Sequence, residues 1–111
     1  PKRSTRPREV ALEIHFRIEP IHRREFLQAA ESLLSKTSAT PGLRGLGCFE
    51  EVGTANEFLW RECWNTVVDL ERRLGSSGIR TLMGAIGVLG QLNHYEILSP
   101  SETVTTGHEL I

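Results

Sequence analysis

An α+β fold with the element order β-α-β-β-α-β is what the sequence predicts. Three observations predict it. Apolar and polar residues alternate strictly from Val10 to Ile18, the period of a strand with one buried face. Two strand-like runs flank the turn-rich Gly53-Thr54-Ala55-Asn56, which reads as a hairpin. Helical stripes fill the two long intervals between strands.

The first strand places Val10, Leu12, Ile14, Phe16 and Ile18 on one face and Ala11, Glu13, His15 and Arg17 on the other; Glu19-Pro20 ends it. A helix is expected from His22 to Lys36, because Phe26, Ala30, Leu33 and Leu34 share a side, with Leu27 beside them. Thr37 to Thr40 is a polar loop, and Pro41-Gly42 opens a second strand over Leu43–Val52. The third strand, Glu57 to about Asn65, carries Phe58, Trp60 and Trp64. Asn65 or Thr66 caps the next helix, which holds Val67, Val68, Leu70 and Leu74 and breaks at Gly75-Ser76-Ser77-Gly78. Ile79, Leu82, Met83 and Ile86 form a second stripe that Gly87 and Gly90 end, and a last strand spans Gln91–Leu98 before Ser99-Pro100. This order is the split βαβ, ferredoxin-like arrangement: a four-stranded antiparallel sheet with helices on one face.

The chain has 111 residues, enough for one domain. We expect a basic arm over residues 1–8, a single domain over 9–98 and a tail over 99–111. Lys2, Arg3, Arg6 and Arg8 concentrate positive charge in the arm, while the rest carries 9 basic and 14 acidic side chains. A net-negative body argues against a nucleic-acid-binding domain. No apolar run reaches the roughly 18 residues of a membrane span, and the first residues lack the apolar core of a signal peptide. Two cysteines are too few for a disulfide scaffold, so a reducing, cytoplasmic setting is expected. His15, His22, His94 and His108 have no metal-ligand spacing, the cysteines form no CxxC, and no phosphate-binding glycine loop is present. No metal and no cofactor are expected.

Helices cover one face of such a sheet; the other must meet solvent, a ligand or another protein. A hairpin register whose paired positions sum to an odd number puts Cys48 and Cys63 on one side, read as the helix side. It puts Gly45, Gly47, Phe49, Trp60, Glu62 and Trp64 on the open side. With Glu13, His15 and Arg17, the open face then combines aromatic rings with ionisable groups, the character of a ligand cavity.

At Phe58-Leu59-Trp60-Arg61-Glu62-Cys63-Trp64 the chain resembles the antibiotic biosynthesis monooxygenase family. Pro41-Gly42, Leu70 and Ser76-Ser77-Gly78-Ile79 extend the resemblance over about residues 9–98. It implies a homodimeric α+β barrel in which two open sheet faces pack together and each protomer encloses a pocket between its own sheet and helices. It also implies oxidation of an aromatic polyketide without a cofactor: a base removes a proton, the carbanion gives an electron to O₂, and recombination with loss of water gives a quinone. On that reading Phe49, Trp60 and Trp64 are walls. His15, Glu62 or His94 takes the proton, and Asn65 or Arg17 holds the anion. His15 is the first base to consider because imidazole titrates near neutrality; its structural alternative is an interface histidine. Glu62, between bulky rings, is a base raised by burial or a carboxylate bridging strands. Trp64 stacks on a flat ligand or fills the core. His94, Tyr95 and Glu96 alternate on the last strand with their facing open. Arg73 stands where relatives carry the His of a Leu-x-x-His pattern, and it is expected in solvent. The Asn-Trp-His set of the haem-degrading branch has no counterpart, so haem is not expected.

The leading function from sequence is therefore a cofactor-independent monooxygenase acting on an aromatic or quinone-type small molecule. The alternatives are a non-catalytic metabolite-binding or regulatory barrel, and a small isomerase or aldehyde-processing barrel.

Overall fold

The computed structural model describes residues 9–99; the basic arm and all but the first residue of the tail lie outside them. Strand β1 (Val10–Ile18) leads through a 3₁₀ turn at Pro20–His22 into helix α1 (Arg23–Thr37). Strands β2 (Leu43–Glu50) and β3 (Glu57–Trp64) form the hairpin. Helices α2 (Val67–Leu74) and α3 (Ser77–Leu89) follow, and β4 (Gly90–Leu98) closes the sheet. The four strands run in the order β2-β3-β1-β4, every pair antiparallel. This is the predicted ferredoxin-like α+β architecture.

Local chemistry explains the breaks. Thr66 caps α2: its hydroxyl accepts from the Asp69 amide at 3.1 Å and donates to the Asp69 carboxylate at 2.9 Å. Ser76 caps α3 by accepting from the Ile79 amide at 3.3 Å. Gly87, expected to end α3, lies inside it. Ile86 and Leu89 are both buried, and their packing outweighs the modest cost of an internal glycine. Gly42, at φ +90°, makes the turn into β2, and a side chain there would strike the Asp69 carboxylate.

The core lies between the sheet and the helices. Val10, Leu12, Ile14, Phe16 and Ile18 supply its floor; Phe26 and Ala30 of α1, Leu70 of α2, and Ile79, Leu82, Ile86 and Leu89 of α3 supply its roof. Phe16, Phe26 and Phe58 pack ring against ring at 5.0–5.7 Å.

The hairpin register differs from the expectation. Cys48 pairs with Trp60 and Gly45 with Cys63, so the two cysteines sit on opposite faces. Val10 pairs with Trp64, Leu12 with Glu62, Ile14 with Trp60 and Phe16 with Phe58. Trp60, Glu62 and Trp64 therefore face the helices, not the open side. The reason is the hairpin turn. β2 stops at Glu50 rather than Val52, and a six-residue loop with positive φ at Gly53 and Asn56 reverses the chain. Arg23 of α1 fixes that end, donating to both Glu50 oxygens at 2.7 and 2.9 Å and to the Asn56 side chain at 2.9 Å. The Asn56 amide adds a bond to Glu50 at 2.7 Å. Shifting a strand by one residue turns every side chain over.

Candidate functional site

Three places concentrate chemistry. The first is inside the core. Glu62 is fully buried, and both of its oxygens are occupied. Trp60 Nε1 donates to Oε2 at 2.8 Å and Trp64 Nε1 to Oε1 at 3.0 Å. Arg73, reaching down from α2, adds Nη2 to Oε2 at 2.7 Å and Nε to both oxygens at 3.1 Å. Each indole thus satisfies its single donor, and the carboxylate meets a guanidinium in a charge-assisted pair. This corrects three expectations. Glu62 offers no oxygen to a substrate, Trp60 and Trp64 are core rather than cavity wall, and Arg73 is buried rather than solvated. The alternative of a structural carboxylate is the one the geometry supports.

The second place is the open sheet face. Here β1 and β4 bring His15 and His94 into a parallel stack, with ring centroids 4.3 Å apart. His15 lies 3.6 Å from Glu13, and His94 lies 3.5 Å from Glu96. Arg61 donates to Glu13 at 2.9 Å and to the Cys63 sulfur at 2.9 Å. Its guanidinium is held further into the charged form, chiefly by the hydrogen bond to Glu13. A hollow of about 400 Å³ beside the stack is lined by His15, Phe49, Leu59, Asn93 and His94, with Glu50, Glu51, Glu57 and Phe58. Three sequence candidates, His15, Phe49 and His94, therefore meet. Arg17 shares their face but points to Glu57 at 3.7 Å and is largely in solvent. Asn65 is exposed at the end of β3, accepting from Arg44 at 3.5 Å.

A bulge settles the facing of β4. His15 pairs with His94 but Phe16 with Leu92, leaving Asn93 as the extra residue. The bulge turns His94 and Glu96 to the open face and Leu92, Tyr95 and Ile97 to the helix side.

The third place is a pocket of about 430 Å³ between the sheet and the helices, the position that the resemblance implies. Leu12, Ile14, Tyr95 and Ile97 form its sheet wall. Leu74, Ile79, Met83 and Arg80 form its helix wall. It is within the usual range for small-molecule sites and mostly apolar. Among the described residues Arg80 and Tyr95 are its only ionisable groups; Arg80 also donates to the Gly75 carbonyl at 3.2 Å. None of the residues chosen from sequence as site residues lines it. Sequence alone leaves the facing of Tyr95 open and shows Ile79 and Met83 only as part of a helical stripe. The signal that was present is the exposed apolar pair Tyr95 and Ile97, on an edge strand, two residues apart.

Among the described residues, no group of three or more His, Cys, Asp or Glu side chains is arranged to hold a metal ion. None of their helices is long and apolar enough to cross a membrane.

No family model matches the sequence. A 55-residue segment, half of the chain, is 34% identical to the Bacillus subtilis protein named "Putative monooxygenase YcnE" and spans 58% of that protein's length. Among solved structures, SnoaB, a cofactor-independent oxygenase of Streptomyces nogalater, superposes with a TM-score of 0.72 at 16% identity, over 82% of this chain and 91% of that one. A Deinococcus radiodurans structure named "putative antibiotic biosynthesis monooxygenase" gives a TM-score of 0.69 at 17% identity, over 80% and 87% of the two chains. A Bacteroides thetaiotaomicron protein named as a possible oxidoreductase gives 0.74 at 18%, over 84% and 98%. Strand order, the two-part second helix and these superpositions agree: the chain has the fold of the antibiotic biosynthesis monooxygenases.

Proposed function

We propose that this chain is a cofactor-independent monooxygenase of the antibiotic biosynthesis monooxygenase family, oxidising a flat, electron-rich aromatic molecule with O₂ in the pocket between β1, β4, α2 and α3. The observation that carries this reading is the pocket itself. Its walls are apolar, and its two ionisable groups, Arg80 and Tyr95, can both donate to an oxygen. A phenol or an anthrone-type ketone fits that pattern, with its rings against Leu12, Ile14, Ile79 and Met83 and its oxygen between the guanidinium and the phenol.

The chemistry then proceeds as follows. An activated methylene loses a proton, and Arg80 stabilises the resulting enolate oxygen. The carbanion gives one electron to O₂; the substrate radical and superoxide combine at carbon. Loss of water converts the methylene to a carbonyl, so CH₂ and O₂ become C=O and H₂O. Among the described residues no imidazole or carboxylate lines the pocket, so on this reading the substrate is acidic enough to lose its proton to water at the mouth. His15, Phe49 and His94 belong on this reading to the open face, which we assign to a second copy in a homodimer.

The test is O₂ consumption and quinone formation with an anthrone. Arg80→Met should lower turnover by ~10²–10³-fold, while Met83→Trp should block substrate entry by filling the pocket. The lack of a carboxylate or imidazole among the described lining residues favours one other reading, a barrel that binds such a molecule without converting it. Saturable anthraquinone binding with no O₂ uptake from any anthrone would establish that reading.

A further inference from the structure

We propose that the groove between the end of α1, α2 and the start of α3 binds the phosphate group of a small molecule. The groove holds about 440 Å³ and shares no lining residue with the apolar pocket. Lys36, Thr37, Arg72, Arg73, Ser77 and Gly78 face it.

Three observations converge there. Thr37 is only 5% exposed, yet its hydroxyl makes no hydrogen bond among the described residues. No fully buried side-chain oxygen or nitrogen among them lacks a partner, so this hydroxyl keeps some open surface, on a residue that lines the groove. Arg73 spends Nε and Nη2 on Glu62 and leaves Nη1 without a partner among the described residues. That nitrogen lies against Gly78, where a Cβ would come within 2.6 Å of it; only glycine leaves the guanidinium edge uncovered. Finally, the amides of Ser77 and Gly78 are the first of a 13-residue helix and have no intrahelical acceptor.

The charge balance favours an anion. Asp69 is held by Arg72 at 3.0 Å and by the Thr66 hydroxyl at 2.9 Å, and Glu62 offsets Arg73, so the excess along the groove is the positive charge of Lys36. Lys36 has no ion-pair partner among the described residues. An ammonium, a guanidinium edge, two hydroxyls and two amides exceed what one carboxylate ligand would use, and they suit the several acceptor oxygens of a phosphate. Inorganic phosphate and a phosphomonoester share this chemistry.

Amide NMR titration separates them, with inorganic phosphate and phenyl phosphate as probes and sodium chloride at matched ionic strength as the baseline. We expect saturable shifts centred on Thr37, Ser77 and Gly78. Binding should weaken about tenfold or more in Lys36→Ala and in Thr37→Val, which each remove a donor. Tighter binding of phenyl phosphate identifies an organic phosphate as the ligand; equal binding identifies free phosphate. Shifts that never saturate, or that are unchanged in both variants, overturn the proposal.

Discussion

Glu62 and Arg73 form a buried ion pair whose remaining hydrogen-bonding capacity is taken up by two indoles. Taking two charges out of water is costly, and the attraction between them offsets that cost only while both are present. Arg73→Ala should therefore destabilise the fold by about 3–5 kcal/mol, measured by urea denaturation. Glu62→Gln with Arg73→Met should cost less than either single change, because no charge is left alone. The cysteines give a second prediction at this scale. Cys48 faces the core, and burial pushes its thiol up to about 11. Cys63 faces the open side beside the Arg61 guanidinium. With the open face uncovered, as in a monomeric Phe49→Asp variant, Cys63 should label with a maleimide well before Cys48; equal slow labelling there would place both under cover. Cys63 and Cys48 also show where sequence reading failed. Both are expected on the helix side because small hydrophobes fit there. Nothing in the spacing of Glu62 reveals that Arg73, eleven positions later, would neutralise it.

The hairpin tip is where two elements are locked together. Arg23 of α1 grips Glu50 at the end of β2, and the hydrogen bond to that guanidinium holds the Glu50 carboxyl down at about 2, against an ordinary 4.5. A carboxylate with a lowered folded-state pKa adds stability that is complete above its unfolded value. That stability is lost as pH falls through the folded value. The contribution of Glu50 should thus be present at neutral pH and disappear between pH 4.5 and about 2. Glu50→Gln should flatten that part of the stability profile. An unchanged profile would mean that the pair contributes nothing in solution. The β1 strand and α1 were legible at this scale because their apolar residues repeat at 2.0 and 3.6 positions without interruption. β4 was not, since the extra residue at Asn93 reverses the parity of everything before it. No alternation rule detects a bulge whose cause is pairing with another strand. The pocket was missed for the same reason, as its sheet wall depends on Tyr95 and Ile97 facing the helices.

At the scale of the whole molecule, the described residues leave the sheet with one face sealed by helices and one bare. The bare face carries Phe49, Leu59 and the His15–His94 stack among paired charges: Glu13 with Arg61, and Arg17 with Glu57. We expect a second copy to cover it, burying on the order of 1,600 Å² in total. Light scattering at micromolar concentration should then give twice the chain mass, and Phe49→Asp should return a folded monomer. Wild-type protein that stays monomeric would assign that face to another occupant.

The Glu62 node also makes the molecule its own optical reporter. Trp60 and Trp64 are the two tryptophans of the chain, and both donate to the same carboxylate. Indole emission from this protein therefore does not average over distant environments. It reads one point, where β3 meets α2. Undocking of α2 would release Arg73 and change the emission of both rings together, whereas events confined to the bare sheet face would leave the spectrum still.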